Sequence, residues 1–290
     1  MRLLLAPLAL AAIAALGGCA IIVAPGDGET RVHTAWSSDK ADGNGVAARE
    51  ARPAAALPAL EVGGSLPVEV RVGPAPSLVV EADANLLPLI RTEARGDTLR
   101  IWSEKGLRSK TPVRITYTVP RLSEVRASGM TRVDVAGLDG APLDVRRSGS
   151  SEVRLAGTVG NLHARSSGAG LLDATQLRSG SVDASLSGSS SVRLGHVEGD
   201  YLRTDLSGSS SFQAGAGMVR SLSARASGSS SVDLTDLATQ DADLGVSGSS
   251  GIRATVRQSL FARTSGSGAI RVYGHPAQRS ISGDRVHLLD

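Results

Sequence analysis

Apolar and polar residues alternate through the second half of this chain in a pattern that returns about every 20 residues. Each period contains one Ser-Gly pair, and successive pairs lie 20, 19, 20, 20, 20, 20 and 18 residues apart. A fixed period of this length predicts stacked structural repeats, each burying its apolar face against its neighbours. The eight pairs are Ser128-Gly129, Ser148-Gly149, Ser167-Gly168, Ser187-Gly188, Ser207-Gly208, Ser227-Gly228, Ser247-Gly248 and Ser265-Gly266.

Two alternating segments flank each pair. The positions five and seven residues after the serine are apolar in all eight repeats, and the position between them is polar. Val192, Arg193 and Leu194 show the pattern, which predicts a strand with one buried face. The positions five and three residues before the serine alternate in the same way. A weaker apolar position at Leu138, Leu177, Val197 and Leu237 suggests a short third side to each repeat.

These repeats predict an all-β fold, a single-stranded parallel β-helix or solenoid with coils of about 20 residues. Right-handed winding is the preferred hand of parallel crossovers. The exposed column Asp134, Arg154, Asp173 and Arg193 alternates in sign, as an in-register stack favours. Glycine suits a corner that needs a positive φ, and the serine beside it can bond to nearby backbone. The alternative is a flexible Gly/Ser linker, but linkers do not carry apolar strands between their Gly/Ser clusters.

The N-terminus predicts export and lipidation. Met1 and Arg2 precede an apolar run over residues 3–16, as in a secretory signal. Leu16-Gly17-Gly18-Cys19 resembles the bacterial lipobox, in which Cys19 becomes the lipidated first residue. The alternative is an ordinary cleaved signal with an incidental cysteine. Cys19 is the only cysteine, so an internal disulfide is excluded. By the same resemblance, Ala20 in place of Asp favours the outer membrane, facing the periplasm or the cell surface.

Four regions follow from these patterns. We predict a signal peptide at 1–18, a lipidated and flexible Ala/Pro/Gly-rich tether at 19–59, an N-terminal β cap at 60–122 and a β-helix of eight to nine coils at 123–290. The cap would cover the first coil, because a bare end exposes unpaired strand edges.

The cap and the coils also resemble a known family. The carrying segments are 78–87 (Leu78 to Leu87), Gly96-Asp97-Thr98-Leu99-Arg100-Ile101, Val119-Pro120-Arg121-Leu122, the Ser-Gly coils, and Val272-Tyr273-Gly274-His275-Pro276 before Ser282-Gly283. This order is similar to that of the putative auto-transporter adhesins with a head GIN domain, over roughly residues 60–290. The resemblance implies an envelope-associated β-solenoid and supplies no catalytic residues.

Composition narrows the function. The formal charge is +3 and aromatic residues are 2% of the chain, which argues against nucleic acid as a partner. The five histidines form no metal-binding pair with a cysteine or with each other. We therefore predict no catalytic, metal or cofactor site.

The chain is expected to be a non-enzymatic, lipid-anchored envelope protein that presents a binding or adhesion surface to an envelope protein or a polysaccharide. A carbohydrate-active enzyme on the same scaffold and a purely structural, self-associating protein are the alternatives; the oligomeric state stays open.

Overall fold

The computed structural model describes residues 40–289, and these are almost entirely β-structure. The one helical segment among them is a 3-10 turn at Leu87–Leu89, with Pro88 in its first turn, where a missing N–H costs no intrahelical hydrogen bond. No helix in residues 40–289 has the length and apolar character that crossing a bilayer requires. The predicted signal peptide, Cys19 and most of the predicted tether lie outside the described residues.

Residues 40–289 form twenty-two strands. The first nine are β1 (Lys40–Asp42), β2 (Ala47–Arg52), β3 (Ala59–Val62), β4 (Pro67–Val72), β5 (Ser77–Asp83), β6 (Ile90–Arg95), β7 (Thr98–Ser103), β8 (Gly106–Arg108) and β9 (Arg114–Val119). The next seven are β10 (Glu124–Ala127), β11 (Arg132–Gly140), β12 (Leu143–Arg147), β13 (Glu152–Ser166), β14 (Leu171–Leu186), β15 (Ser191–Leu206) and β16 (Ser211–Ala214). The last six are β17 (Gly217–Ala226), β18 (Ser231–Val246), β19 (Gly251–Thr264), β20 (Ala269–Tyr273), β21 (Gln278–Ser282) and β22 (Val286–Leu289).

From β10 onward all pairings are parallel, and those between one Ser-Gly coil and the next join residues about 20 apart. Val192 of β15 pairs with Leu172 of the coil before it and with Phe212 of the coil after it. The predicted apolar columns all point inward, and Val192 is 1% exposed while Arg193 beside it is exposed. The prediction of an all-β parallel solenoid with coils of about 20 residues is therefore confirmed.

The third side of each coil continues the neighbouring strands. Strands such as β14 and β15 run for 16 residues from one Ser-Gly corner to the next, so the chain bends within a continuous strand. The inter-coil register shifts at these bends, for example between Ala174 and Arg178. Leu138, Leu177, Val197 and Leu237 are buried on this side and close the core.

The first rungs do not follow chain order. Strands β3 and β4 pair in parallel with β10 and β11 on one side and with β7 and β9 on the other. Residues 59–72 are thus inserted between 98–119 and the first Ser-Gly coil. Gly64, with φ +88°, lies directly beneath Gly129 and extends the column of corner glycines by one rung.

Antiparallel strands cover this end of the solenoid. Strand β5 pairs antiparallel with β2 and β9, and β6 pairs antiparallel with β7. Strand β2 falls within the range predicted as a tether, where its Ala- and Arg-rich sequence gives no strand pattern; its pairing with β5 orders it. Asp83, at the end of β5, is fully buried and accepts hydrogen bonds from the amide of Lys110 and the hydroxyls of Ser109 and Thr111.

Candidate functional site

A groove runs along the solenoid where each coil turns into its Ser-Gly corner. It has a volume of about 1330 Å³ and extends from Glu61 in an early rung to Ser282 in the last. Most coils contribute the same positions, namely the corner serine and the two residues before it. We call it the serine–arginine groove; its outer wall is the column two residues before the corner serine, formed by Arg126, Arg146, Arg165, Ser185, Asp205, Arg225, Gly245 and Arg263.

The eight Ser-Gly pairs stand at the predicted corners, one above another. Their glycines have φ between +69° and +84°, the left-handed region that favours glycine. The stack also leaves no room for a side chain, because a Cβ on Gly208 would lie 2.5 Å from the carbonyl oxygen of Gly188. The amide of Ser209 donates to that same carbonyl at 2.8 Å, which joins consecutive corners.

The corner serines form a hydroxyl ladder along the groove. Most of these side chains are exposed. Several of their hydroxyls donate a hydrogen bond to a backbone carbonyl of the coil below: Ser207 to Leu186 at 3.3 Å, and Ser227 to Leu206 at 3.0 Å. The backbone amide of Ser207 also donates to the Leu186 carbonyl, at 3.0 Å. The ladder therefore presents side-chain hydroxyls to a ligand, while the corner backbone is committed to the neighbouring coils.

The position three residues after the corner serine is a second serine in five of the eight repeats, and these serines face inward. We call them the inner serines: Ser151, Ser190, Ser210, Ser230 and Ser250, all 2% exposed or less. Ser210 shows the common arrangement, since its hydroxyl donates to the carbonyl of Ser207 at 2.9 Å and approaches that of Gly188 at 3.3 Å. The alternating pattern of the strands did not predict this column; its signal in the sequence is the additional serine that recurs in five of the eight corners.

Arg147 is a buried cation in the floor of the groove. It is 2% exposed, and its guanidinium donates to the hydroxyls of Ser166 and Ser190 and to the carbonyl of Ser151. Burial lowers the pKa of Arg147, but a guanidinium stays protonated in proteins. All three acceptors are neutral, so this charge has no carboxylate partner among the described residues. The repeat pattern did not predict this buried charge, because the residue before the corner serine varies between coils.

In the first two Ser-Gly coils, the arginine of the groove wall forms an ion pair with the carboxylate two residues before it. Arg126 Nη2 lies 2.8 Å from Glu124, and Arg146 lies 3.2 Å from both Glu124 and Asp144. Arg165 comes only within 3.7 Å of Asp144, and its side chain is 63% exposed.

The far half of the groove is balanced in charge. Arg225 lies 3.3 Å from Asp243 and 4.0 Å from Asp205. The Arg263 guanidinium lies 4.2 Å from the centre of the Phe261 ring instead of on a carboxylate. Within residues 40–289 no three His, Cys, Asp or Glu side chains come close enough together to hold a metal ion.

The fold and the groove define residues 40–289 as a β-solenoid with a continuous side-chain-lined surface. Sequence comparison matches residues 57–199 and 191–276 to the family described as "Putative auto-transporter adhesin, head GIN domain". The chain belongs to this family, an adhesin-like class of extracellular or envelope-associated proteins. The comparison with curated proteins finds no match.

Solved structures show the same fold. A putative adhesin from Parabacteroides merdae ATCC 43184 is similar with a TM-score of 0.68 and 19% identity, over 87% of this chain and 100% of that one. A putative adhesin from Parabacteroides distasonis ATCC 8503 gives 0.68 and 22% over the same shares. A putative lipid binding protein from the same strain gives 0.66 and 22%, again over 87% and 100%. At these identities the likeness concerns the fold alone.

Proposed function

We propose that this chain is an exported, non-enzymatic adhesin, attached through a lipid on Cys19 to the outer membrane, which binds its partner along the serine–arginine groove. The observation that carries the proposal is the groove itself. It repeats the same positions through successive coils and offers hydroxyls and guanidinium groups on a rigid backbone. A uniform surface of this kind suits an extended partner better than a compact substrate.

Lipid attachment is tested by fractionation. Cells that express the full chain or its Cys19→Ser variant are labelled with palmitate and separated into soluble and membrane fractions. The native chain should carry label and sediment with outer membranes, and Cys19→Ser should do neither. An unlabelled native chain in the soluble fraction would contradict the anchor.

Adhesion is tested by filling the groove. A Ser207→Tyr/Ser227→Tyr double variant places two bulky side chains on the hydroxyl ladder. Gln213→Tyr, on an exposed strand position outside the groove, is the matched control. The amount of purified protein that binds to isolated cell envelopes should fall with the double variant and stay unchanged with the control. Equal binding by both would show that the groove is not the adhesion surface.

The enzymatic alternative makes a different prediction. A polysaccharide lyase or hydrolase would release reducing ends or unsaturated products from a panel of polysaccharides. The adhesin proposal predicts binding without product, and product formation that disappears in a groove variant would overturn it.

A further inference from the structure

Three arginines of the groove wall lie directly beside one another in successive coils. Arg126 pairs in register with Arg146, and Arg146 with Arg165. Like charges directly opposite each other on neighbouring strands repel and destabilise a sheet. Elsewhere on the solenoid the opposite arrangement occurs, since Asp233 lies next to Arg253 with their charged groups 3.3 Å apart. The run of three stacked arginines departs from that alternation; Arg253 and Arg271 also lie in register, but as a single pair.

The carboxylates near this stretch do not balance its charge. Arg126, Arg146 and Arg165 share two carboxylates, those of Glu124 and Asp144. Arg165 comes no closer than 3.7 Å to Asp144. Glu61, in the rung below, lies 3.2 Å from Arg100. The buried Arg147 adds one more positive charge beneath the wall. This part of the groove therefore holds an excess of positive charge, carried by three solvent-accessible arginines and one buried arginine.

The groove wall restricts how a ligand can bind. A peptide cannot add as a strand here, because the backbone groups at the corners already bond to the coils above and below. Among the described residues that line the groove there is no Phe, Tyr or Trp, so bases or sugar rings have no aromatic face on which to stack. The groups on offer are hydroxyls, about 4.8 Å apart along the stack, and planar guanidinium forks.

These features point to one ligand class. We propose that the stretch of the groove formed by Arg126, Arg146 and Arg165 with Ser128, Ser148 and Ser167 binds a linear polysaccharide that carries carboxylate groups. Guanidinium groups bind carboxylates through paired hydrogen bonds. Sugar hydroxyls exchange hydrogen bonds with the serine ladder, so the polymer lies along the solenoid axis. This ligand assignment rests on the proposed role of the groove as the adhesion surface.

Calorimetric titration of the full-length chain tests the assignment. The probe is polygalacturonate, a linear polyuronate, and the matched control polymer is its fully methyl-esterified form, which keeps the backbone and loses the charge. The native chain should bind the acid form, lose affinity with added salt, and bind the ester at least about tenfold more weakly, a difference of about 1.4 kcal/mol.

Paired variants locate the site. Arg146→Gln/Arg165→Gln should weaken polygalacturonate binding about tenfold or more, in line with the loss of charge-assisted hydrogen bonds. Arg178→Gln/Arg193→Gln removes the same charge from exposed positions outside the groove and should bind as the native chain does. Unchanged melting curves by circular dichroism show that both variants fold.

Three results would overturn the assignment. They are equal binding of the acid and ester polymers, equal losses in the two double variants, and equally tight binding of polyglutamate or single-stranded DNA. If polygalacturonate fails to bind while Ser207→Tyr/Ser227→Tyr still abolishes adhesion, the ligand class is wrong and the groove remains the adhesion surface. If both fail, the proposed function fails with it.

Discussion

The buried guanidinium of Arg147 donates a hydrogen bond from Nη2 to the hydroxyl of Ser190, 2.9 Å away and two coils further along the solenoid. Small residues in the intervening coil make this reach possible. Ser166 accepts a bond from Nε on the way, and Gly170 occupies the position of an inner serine without a side chain. A Cβ on Gly170 would collide with the guanidinium. One arginine thus contacts residues of three neighbouring coils.

The bond between Arg147 and Ser190 should be measurable against a matched position. Ser210 makes the same bonds as Ser190, to the corner serine carbonyl and to the glycine carbonyl of the coil below, but no arginine donates to it. Hydrogen bonds to charged groups contribute about 1.5–3 kcal/mol. Ser190→Ala should therefore destabilise the chain by roughly that amount more than Ser210→Ala, as measured by chemical denaturation.

The Arg147→Leu background supplies the control. Leu186 and Leu206 already occupy the equivalent position in later coils, so leucine fits there. In this background the costs of Ser190→Ala and Ser210→Ala should become equal. A difference that persists without the guanidinium would contradict the interpretation.

The corner glycines are expected to tolerate no side chain. Gly208 has φ +78°, and alanine in the left-handed region costs roughly 1–2 kcal/mol before any contact with the Gly188 carbonyl is counted. Gly208→Ala should lower the melting temperature clearly. Gly245→Ala is the control, since φ there is not positive and the nearest atom to an added Cβ is Arg225 Cγ at 3.7 Å. It should leave stability unchanged or slightly raised; equal effects would argue against stacked corners.

Sequence periodicity predicted the parts of this fold that repeat. The inward columns, typified by Val192, and the corner glycines recur in every coil, so each repeat supports the reading of the others. Arg147 occurs once, and only its joint appearance with Gly170 one coil later signals a buried charge. The groove could not be predicted from the sequence either. The periodicity places Arg126, Arg146 and Arg165 above one another, but it does not show that they line the concave side of the coil.

The order of the first rungs could not be predicted from the sequence pattern, for a different reason. Strands β3 and β4 alternate like any half-buried strands, and the pattern does not say which segment lies beside them. Their position between 98–119 and the first Ser-Gly coil depends on long-range pairing. Strand β2 likewise owes its order to β5 and not to its own residues.

Thr204 is a polar residue in an apolar column. It is fully buried between Ala184 and Ala224, and its hydroxyl has no hydrogen-bond partner among the described residues. Removing an unsatisfied buried hydroxyl recovers about 1–3 kcal/mol, so Thr204→Val should raise the free energy of unfolding. Thr239 is equally buried but donates to the Asp241 carbonyl at 3.1 Å, and Thr239→Val should destabilise. Destabilisation by both substitutions would contradict the assignment.

Asp83 should make the cap sensitive to acid. Burial alone raises the pKa of the Asp83 carboxyl, but the hydrogen bonds from Lys110, Thr111 and Ser109 outweigh it and hold the pKa below its ordinary value. The ionised form therefore favours folding. Its contribution is complete above the ordinary pKa of about 3.9 and is lost as the pH falls through the lower folded value.

Melting temperatures of the native chain and Asp83→Asn test this sign. The variant should be less stable at neutral pH, and the gap should narrow as the pH falls below about 4. Asp200→Asn, at an exposed ion pair with Arg220, controls for the general effect of removing a carboxylate. If the difference in melting temperature between the native chain and Asp83→Asn were the same at all pH values, the Asp83 carboxylate would not be the source of the acid sensitivity.

The groove and its proposed ligand both require that the coils stack in register along one straight line. Spin labels on cysteines at Ser148 paired with Ser227, Ser247 or Ser265, in a Cys19→Ser chain, report the distance across four, five and six coils by pulsed electron resonance. We expect distances that increase by about 4.8 Å for each added coil, from roughly 19 Å to roughly 29 Å between the attachment points. Distances that do not increase in equal steps would contradict this stacking.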